Sequence, residues 1–152
     1  MTIENCADSI AASISSDIRK VQEGKHIYVS VPVDAITYSQ SSFGLAFQEF
    51  LTSAMASRLP GVVDVHFRSP ADKSAKAGSS SLSRSELTIE ESSAGIVLVS
   101  TYLAGEEEVV ITTRAIDAAL KEVIASTHAV LSRSGEVDAL FGRSQGIPMY
   151  EK

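Results

Sequence analysis

Apolar and polar residues alternate along this chain with two periods, and each change of period marks an element. Ala7, Ile10, Ala11, Ile14, Ile18 and Val21 recur at helical spacing, with Ser, Asp, Arg and Lys between them. That pattern predicts an amphipathic helix with one apolar stripe, closed by Gly24. From His26 to Ile36 the period falls to two. Ile27, Val29, Val31, Val33 and Ala35 share one face, and His26, Tyr28, Ser30, Pro32 and Asp34 share the other. This reads as one strand with an apolar face. Pro32 has no amide to donate, which calls for a sheet edge or a bulge at that point.

Ser39 to Ser42 is a polar break in which Ser41 or Ser42 is suited to cap a helix. Phe43, Ala46, Phe47, Phe50, Leu51, Ala54 and Met55 then return to helical spacing. This second helix is expected to be the main slab packed on a sheet. Pro60-Gly61 stops it, and Val62 to Phe67 predicts a second strand. A strand, a long helix and a strand in succession imply a parallel pair with a right-handed crossover.

Ser69 to Ser81 reads as an exposed loop, and Leu82 to Ser93 as a short helix. Gly95 to Leu103 contains Ile96, Val97, Leu98 and Val99 without interruption. An unbroken apolar run predicts a strand buried on both faces near the sheet centre. Ala104 to Glu107 reads as a hairpin turn, Val109 to Ile116 as the return strand, and Val123 to Leu131 as a further strand. The last three strands are thus expected to form an antiparallel meander. Gly135 to Phe141 reads as a terminal helical turn and residues 142–152 as a tail. The expected class is α/β (α+β), in the order α-β-α-β-(α)-β-β-β. It has a mixed sheet of about five strands with helices packed mainly on one face.

The length of 152 residues fits a single domain. The net charge of −6 and pI of about 5.0 make nucleic acid and anionic lipid poor partners, because an acidic surface repels phosphate. The first helix has a Ser- and Asp-rich polar face, which favours docking on its own sheet over membrane insertion. A lone cysteine, Cys6, forms neither an internal disulfide nor a CxxC metal knuckle, and it reads as a bland near-terminal residue. No apolar run is long enough to span a bilayer. Residues 1–22 lack the basic start and continuous apolar centre of a signal peptide. The expectation is therefore either a cytoplasmic protein starting at Met1 or a chain beginning after a removed leader.

Candidate chemistry is sparse. There is no G-x-S-x-G, no Walker sequence, no G-x-G-x-x-G and no H-E-x-x-H. His26, His66 and His128 sit on separate predicted strands without metal-ligand spacing. Glu106, Glu107 and Glu108 crowd a hairpin, and Glu90-Glu91 a short helix, where acids ordinarily serve solubility. The expected class is a non-enzymatic binding or assembly protein with no cofactor and no metal.

Several stretches together carry a resemblance to one known family. Ser42-Phe43-Gly44-Leu45-Ala46-Phe47-Gln48-Glu49 is similar to the family's helix start. Leu82-Ser83-Arg84-Ser85-Glu86-Leu87 is similar to its Leu-Ser-Arg-(Asp/Glu) segment. Val97-Leu98-Val99-Ser100-Thr101-Tyr102 resembles its Val-(Leu)-Val-Gly-Thr-Tyr strand. Val110 to Asp117, with Arg114 near its end, and Glu122-Val123-Ile124-Ala125-Ser126 resemble the strands that follow. Across about residues 7–132 these stretches resemble the FlgO family of outer-membrane flagellar assembly proteins, and Gly44, Glu49, Ser83, Arg84, Thr101, Tyr102, Arg114 and Asp117 are the motif positions. The chain departs from the pattern at Ser100, in place of glycine, at Phe43, in place of leucine, and in Ala118 to Lys121, which lacks the usual turn glycine.

The resemblance implies protein–protein contacts, possible basal-body partners and a periplasmic or outer-membrane location. The alternatives are an accessory module of a cell-wall synthase or secretion-pore complex, and an enzyme with an unrecognised site. Of the motif residues, Gly44 is expected to allow close helix–strand approach, and Tyr102 to be a core residue with a satisfied hydroxyl. Arg114 is expected to form a buried pair with Glu49 or Asp34.

Overall fold

The computed structural model describes residues 1–64 and 95–145. Helix α1 (Ile3–Gln22) starts where the Thr2 hydroxyl accepts the Asn5 amide at 3.0 Å and ends at Glu23 in the left-handed region. Its stripe is buried at Ala7, Ile10, Ala11, Ile14 and Ile18, and Ile3 and Cys6 extend it. Val21 is exposed and the buried position passes to Gln22, whose Nε2 donates to the carbonyls of Lys25 and Pro60. A glutamine serves there because it fills the end of the stripe and also satisfies two loop carbonyls.

The single strand expected over His26 to Ile36 is two strands, β1 (Ile27–Val29) and β2 (Val33–Asp34). Both run parallel to β4 (Ile96–Ala104), and the interruption falls at residues 30–32. Pro32 cannot donate to a ladder, and the chain resumes pairing one residue beyond it. Among the described residues the sheet therefore has six strands, the expected first strand counting as two. Its order is β3-β1-β4-β5-β6, with β2 paired to β4 off this path.

Helix α2 (Ser42–Ala56) connects β2 to β3 (Val62–Val63), which pairs parallel with β1. The parallel pairing expected across this helix is present. The rest of the strand expected to reach Phe67, the loop at 69–81, the short helix at 82–93 and His66 lie outside the described residues. β4 is central and buried on both faces from Ile96 to Ser100. β5 (Glu108–Asp117) and β6 (Glu122–Ser132) complete the antiparallel meander, with a register shift at Ala115/Ile116.

Side chains alternate between the faces of each strand. Ile96, Leu98 and Tyr102 of β4 and Val109, Ile111 and Ala115 of β5 join one core with α1 and α2. The helices pack on this face, as expected. Val97 and Val99 lie on the other face, in a smaller cluster with Tyr28, Ile116 and Ala118. The terminal helix α3 runs from Gly135 to Gln145, so the expected tail at 142–152 begins as helix. Phe141 anchors it: its ring lies 4.8 Å from Phe43 and 5.7 Å from Tyr102.

Candidate protein-contact site

The motif residues sort into three places. The first joins α2 to the centre of the sheet. Ser41 caps α2, its Oγ accepting the Gly44 amide at 3.1 Å. The same Oγ lies 2.6 Å from the hydroxyl of Tyr102 on β4. Gly44 packs so closely on the β1–β2 interruption that a Cβ there would run into the carbonyl oxygen of Pro32. The expected close approach at Gly44 and the satisfied Tyr102 hydroxyl are both found. Burial pushes the Tyr102 phenol above its ordinary pKa; the Ser41 bond lowers it, and Asp34 raises it. Phe43, the departure from leucine, sits between Tyr102 (5.1 Å), Phe47 (6.0 Å) and Phe141 (4.8 Å).

Asp117 marks the second place. Its Oδ2 takes Lys25 Nζ at 2.7 Å, and its Oδ1 accepts the amides of Ala119 and Leu120, each at 3.1 Å. The Lys25 bond and, after it, the Leu120 amide hold its carboxyl below the usual carboxylate range. The turn that lacks glycine is completed by Lys121 at φ 60°.

The third place is the face of the sheet away from the helices. Thr101 is half-buried there and Arg114 exposed, with Arg114 paired in register to Val99 and Ser126. The buried pair expected for Arg114 is not formed. Glu49 is exposed on α2, which packs on the opposite face. Asp34 instead turns Oδ1 back to the amides of Ile36 (2.8 Å) and Thr37 (3.0 Å). Ser83 and Arg84 lie outside the described residues. Ser100, the other departure from the pattern, is buried with its Oγ 2.7 Å from Thr113 Oγ1, so the extra hydroxyl is paired.

His26 and His128 are not brought together: β4 and β5 separate their strands, roughly 14 Å at the usual strand spacing. Among the described residues no group of three or more His, Cys, Asp or Glu is placed to hold a metal. No described helix is long and apolar enough to cross a membrane. Cys6 is a core residue, and burial raises its thiol to about 11.

The loop between β2 and α2 carries two exposed apolar side chains. Ile36 is 77% exposed and Tyr38 62% exposed. The loop carrying them is held from within. Besides the two Asp34 bonds, the Tyr38 amide donates to the Asp34 carbonyl (2.8 Å) and the Asp34 amide to the Ser39 carbonyl (3.1 Å). Ala35 donates to the Tyr102 carbonyl at 2.9 Å, and Tyr38 takes φ 59°. Sequence periodicity missed this loop because Ile36 and Tyr38 stand two apart, as residues of a strand do.

The family model for FlgO protein matches residues 5–136. The chain belongs to the FlgO family. By family it is a cell-envelope accessory protein. No curated protein sequence matches it. Among solved structures, the LpoB C-terminal domain from Escherichia coli is similar with a TM-score of 0.59 at 15% identity, over 88% of this chain and 100% of that one. The same domain from Salmonella enterica gives 0.57 at 15% identity, again over 88% and 100%. The NMR structure of Escherichia coli LpoB gives 0.57 at 17% identity, over 84% of this chain and 68% of that one. At such identities the likeness is one of fold. The FlgO-like chain and the LpoB domain share this mixed sheet with helices on one side.

Proposed function

We propose that this FlgO-family chain is a non-enzymatic accessory protein of the cell envelope that supports flagellar assembly or motility by binding other proteins. The observation that carries the reading is the family match across residues 5–136. Two features support it. The motif residues Gly44 and Tyr102 serve helix packing and the bond to the Ser41 cap, and the exposed apolar residues stand on a hydrogen-bonded loop suited to contact. Its place is the periplasm or the inner surface of the outer membrane, and its partners include basal-body components.

The fold shared with the LpoB C-terminal domain favours a second reading, an accessory module of a cell-wall synthase or secretion-pore complex. Deleting the gene separates the two. Lost swimming in soft agar, restored by the wild-type gene, is the outcome expected for the flagellar role. Normal swimming with normal filaments, accompanied by sensitivity to cell-wall antibiotics, overturns it in favour of the second reading.

A further inference from the structure

Exposed apolar residues gather at one end of the sheet. Asp34 is level with Tyr102 across the β2–β4 pair, and the chain runs on from there into Ile36 and Tyr38. The next residue of β4, Leu103, is paired with Val110 of β5, and Val110 with Val130 of β6. The β2–α2 loop and this cross-strand row thus occupy the same end of the molecule. Leu103 is 48% and Val130 45% exposed. Leu103, Val110 and Val130 point away from the helices, because Tyr102, Val109 and Leu131 next to them in sequence enter the helix-side core.

Among the described residues, the hairpin beside this row carries acidic side chains only. Glu106, Glu107 and Glu108 are all exposed at the hairpin that joins Leu103 to Val110. The neighbouring Arg133 is engaged: its Nε reaches Asp138 at 2.8 Å, one terminal nitrogen reaches the Gly105 carbonyl at 2.9 Å, and its guanidinium lies 4.9 Å over Phe141. Further along the same face come His128 and then Arg114.

We infer that Ile36 and Tyr38, with the Leu103–Val110–Val130 row, form a docking surface for a protein whose own apolar patch is bordered by lysine or arginine. The inference rests on the reading that this chain works by protein contact. A loop fixed by its own hydrogen bonds loses little freedom on binding, and tyrosine is enriched among the residues that dominate interface energy. The acidic hairpin selects the occupant. It repels anionic lipid headgroups and would face its own copy across a symmetric dimer, whereas a basic rim complements it.

The test places the photo-crosslinking residue p-benzoylphenylalanine at position 36 or 38 of the full-length protein in the bacterium that carries it, with position 16 on the exposed face of α1 as control. The expected result is one adduct with a distinct protein from positions 36 and 38 and none from 16. The crosslinked peptide should lie in an apolar stretch flanked by Lys or Arg, and the adduct should fall severalfold when Glu106, Glu107 and Glu108 are changed to Lys. A dimer of this chain, a lipid adduct, equal labelling from position 16, no adduct, or an adduct indifferent to charge reversal overturns the inference.

A second arm uses Ile36→Ser/Tyr38→Asn, where asparagine tolerates the left-handed backbone at 38. This variant should melt like wild type and fail to complement the deletion. Full complementation overturns the docking surface and leaves the functional reading standing. A deletion without any envelope phenotype counts against the functional reading, and the crosslink then decides the surface.

Discussion

The hydroxyl of Tyr102 and the Oγ of Ser41 stand 2.6 Å apart, and that Ser41 oxygen also accepts the Gly44 amide. A strand at the sheet centre is thereby tied to the first turn of the helix that covers it. Removing each end should have a different effect. Tyr102→Phe loses one net hydrogen bond, about 1 kcal/mol, while Ser41 still caps the helix. Ser41→Ala loses the cap and strands a buried phenol, so it should cost more, about 2–3 kcal/mol. Urea unfolding of the two variants gives the comparison, and equal losses would contradict the shared role of Ser41.

Gly44 faces backbone rather than a movable side chain. The Pro32 carbonyl is fixed between β1 and β2, so a methyl group at position 44 must push α2 off the sheet. Gly44→Ala normally stabilises a helix interior by about 0.5–1 kcal/mol. Here it should destabilise by about 1–3 kcal/mol, the range for overpacking a tight core. The reversal of sign in thermal or urea unfolding is the measurement that checks it.

Local pattern made much of this fold legible. The Ile96–Val99 run gave away the central strand because a strand buried on both faces has no polar side to show. The β2–α2 boundary was readable at Ser41 because capping is a matter of a few neighbouring residues. What stayed hidden depends on register between distant segments. Asp117 takes Lys25 because the end of β5 and the start of β1 lie level on either side of β4, and no periodicity relates residues so far apart. Arg114 looked like the natural basic partner for Asp34 or Glu49, but alternation along β5 sends it to the face that α2 does not cover. Phe141 read as the end of a terminal turn, yet it closes the aromatic cluster around Phe43. The Pro32 break was visible as a problem; that it splits the strand while both halves stay on β4 was not.

Cys6 should be chemically silent in the folded protein. It is fully buried on α1, and burial raises its thiol to about 11, far from the thiolate needed for attack. At pH 8 an aromatic disulfide reagent should release no chromophore from the native chain and one equivalent after denaturation in guanidinium. Rapid labelling without denaturant would mean that α1 leaves the core easily.

Lys121 occupies the left-handed region at φ 60° with its side chain exposed, in the turn that lacks a glycine. A lysine there carries the steric cost of its Cβ. Lys121→Gly should therefore raise stability by about 0.5–1 kcal/mol, after the greater freedom of glycine in the unfolded chain is set against relief of strain. A higher urea midpoint with an unchanged slope is the expected outcome; a lower one would mean that the lysine makes a contact worth more than the strain.

Asp117 should make the acid limb of stability steeper. Its folded pKa is depressed, first by the Lys25 bond and then by the Leu120 amide, from an ordinary value of 3.8. The unfolded chain therefore takes up a proton from this carboxyl before the folded chain does. The stabilisation is fully present well above pH 3.8, and it is lost as pH falls through 3.8 toward the lower folded value. Asp117→Asn keeps a side-chain acceptor for the turn amides but cannot titrate, so its stability should fall less between pH 5 and the acid limit than that of wild type. Lys25→Met should flatten the same limb partially, because the turn amides remain. Urea midpoints measured across that range for the three proteins test the order. If Asn at 117 leaves the acid limb as steep as before, the linkage between this turn and the start of β1 contributes nothing to acid stability.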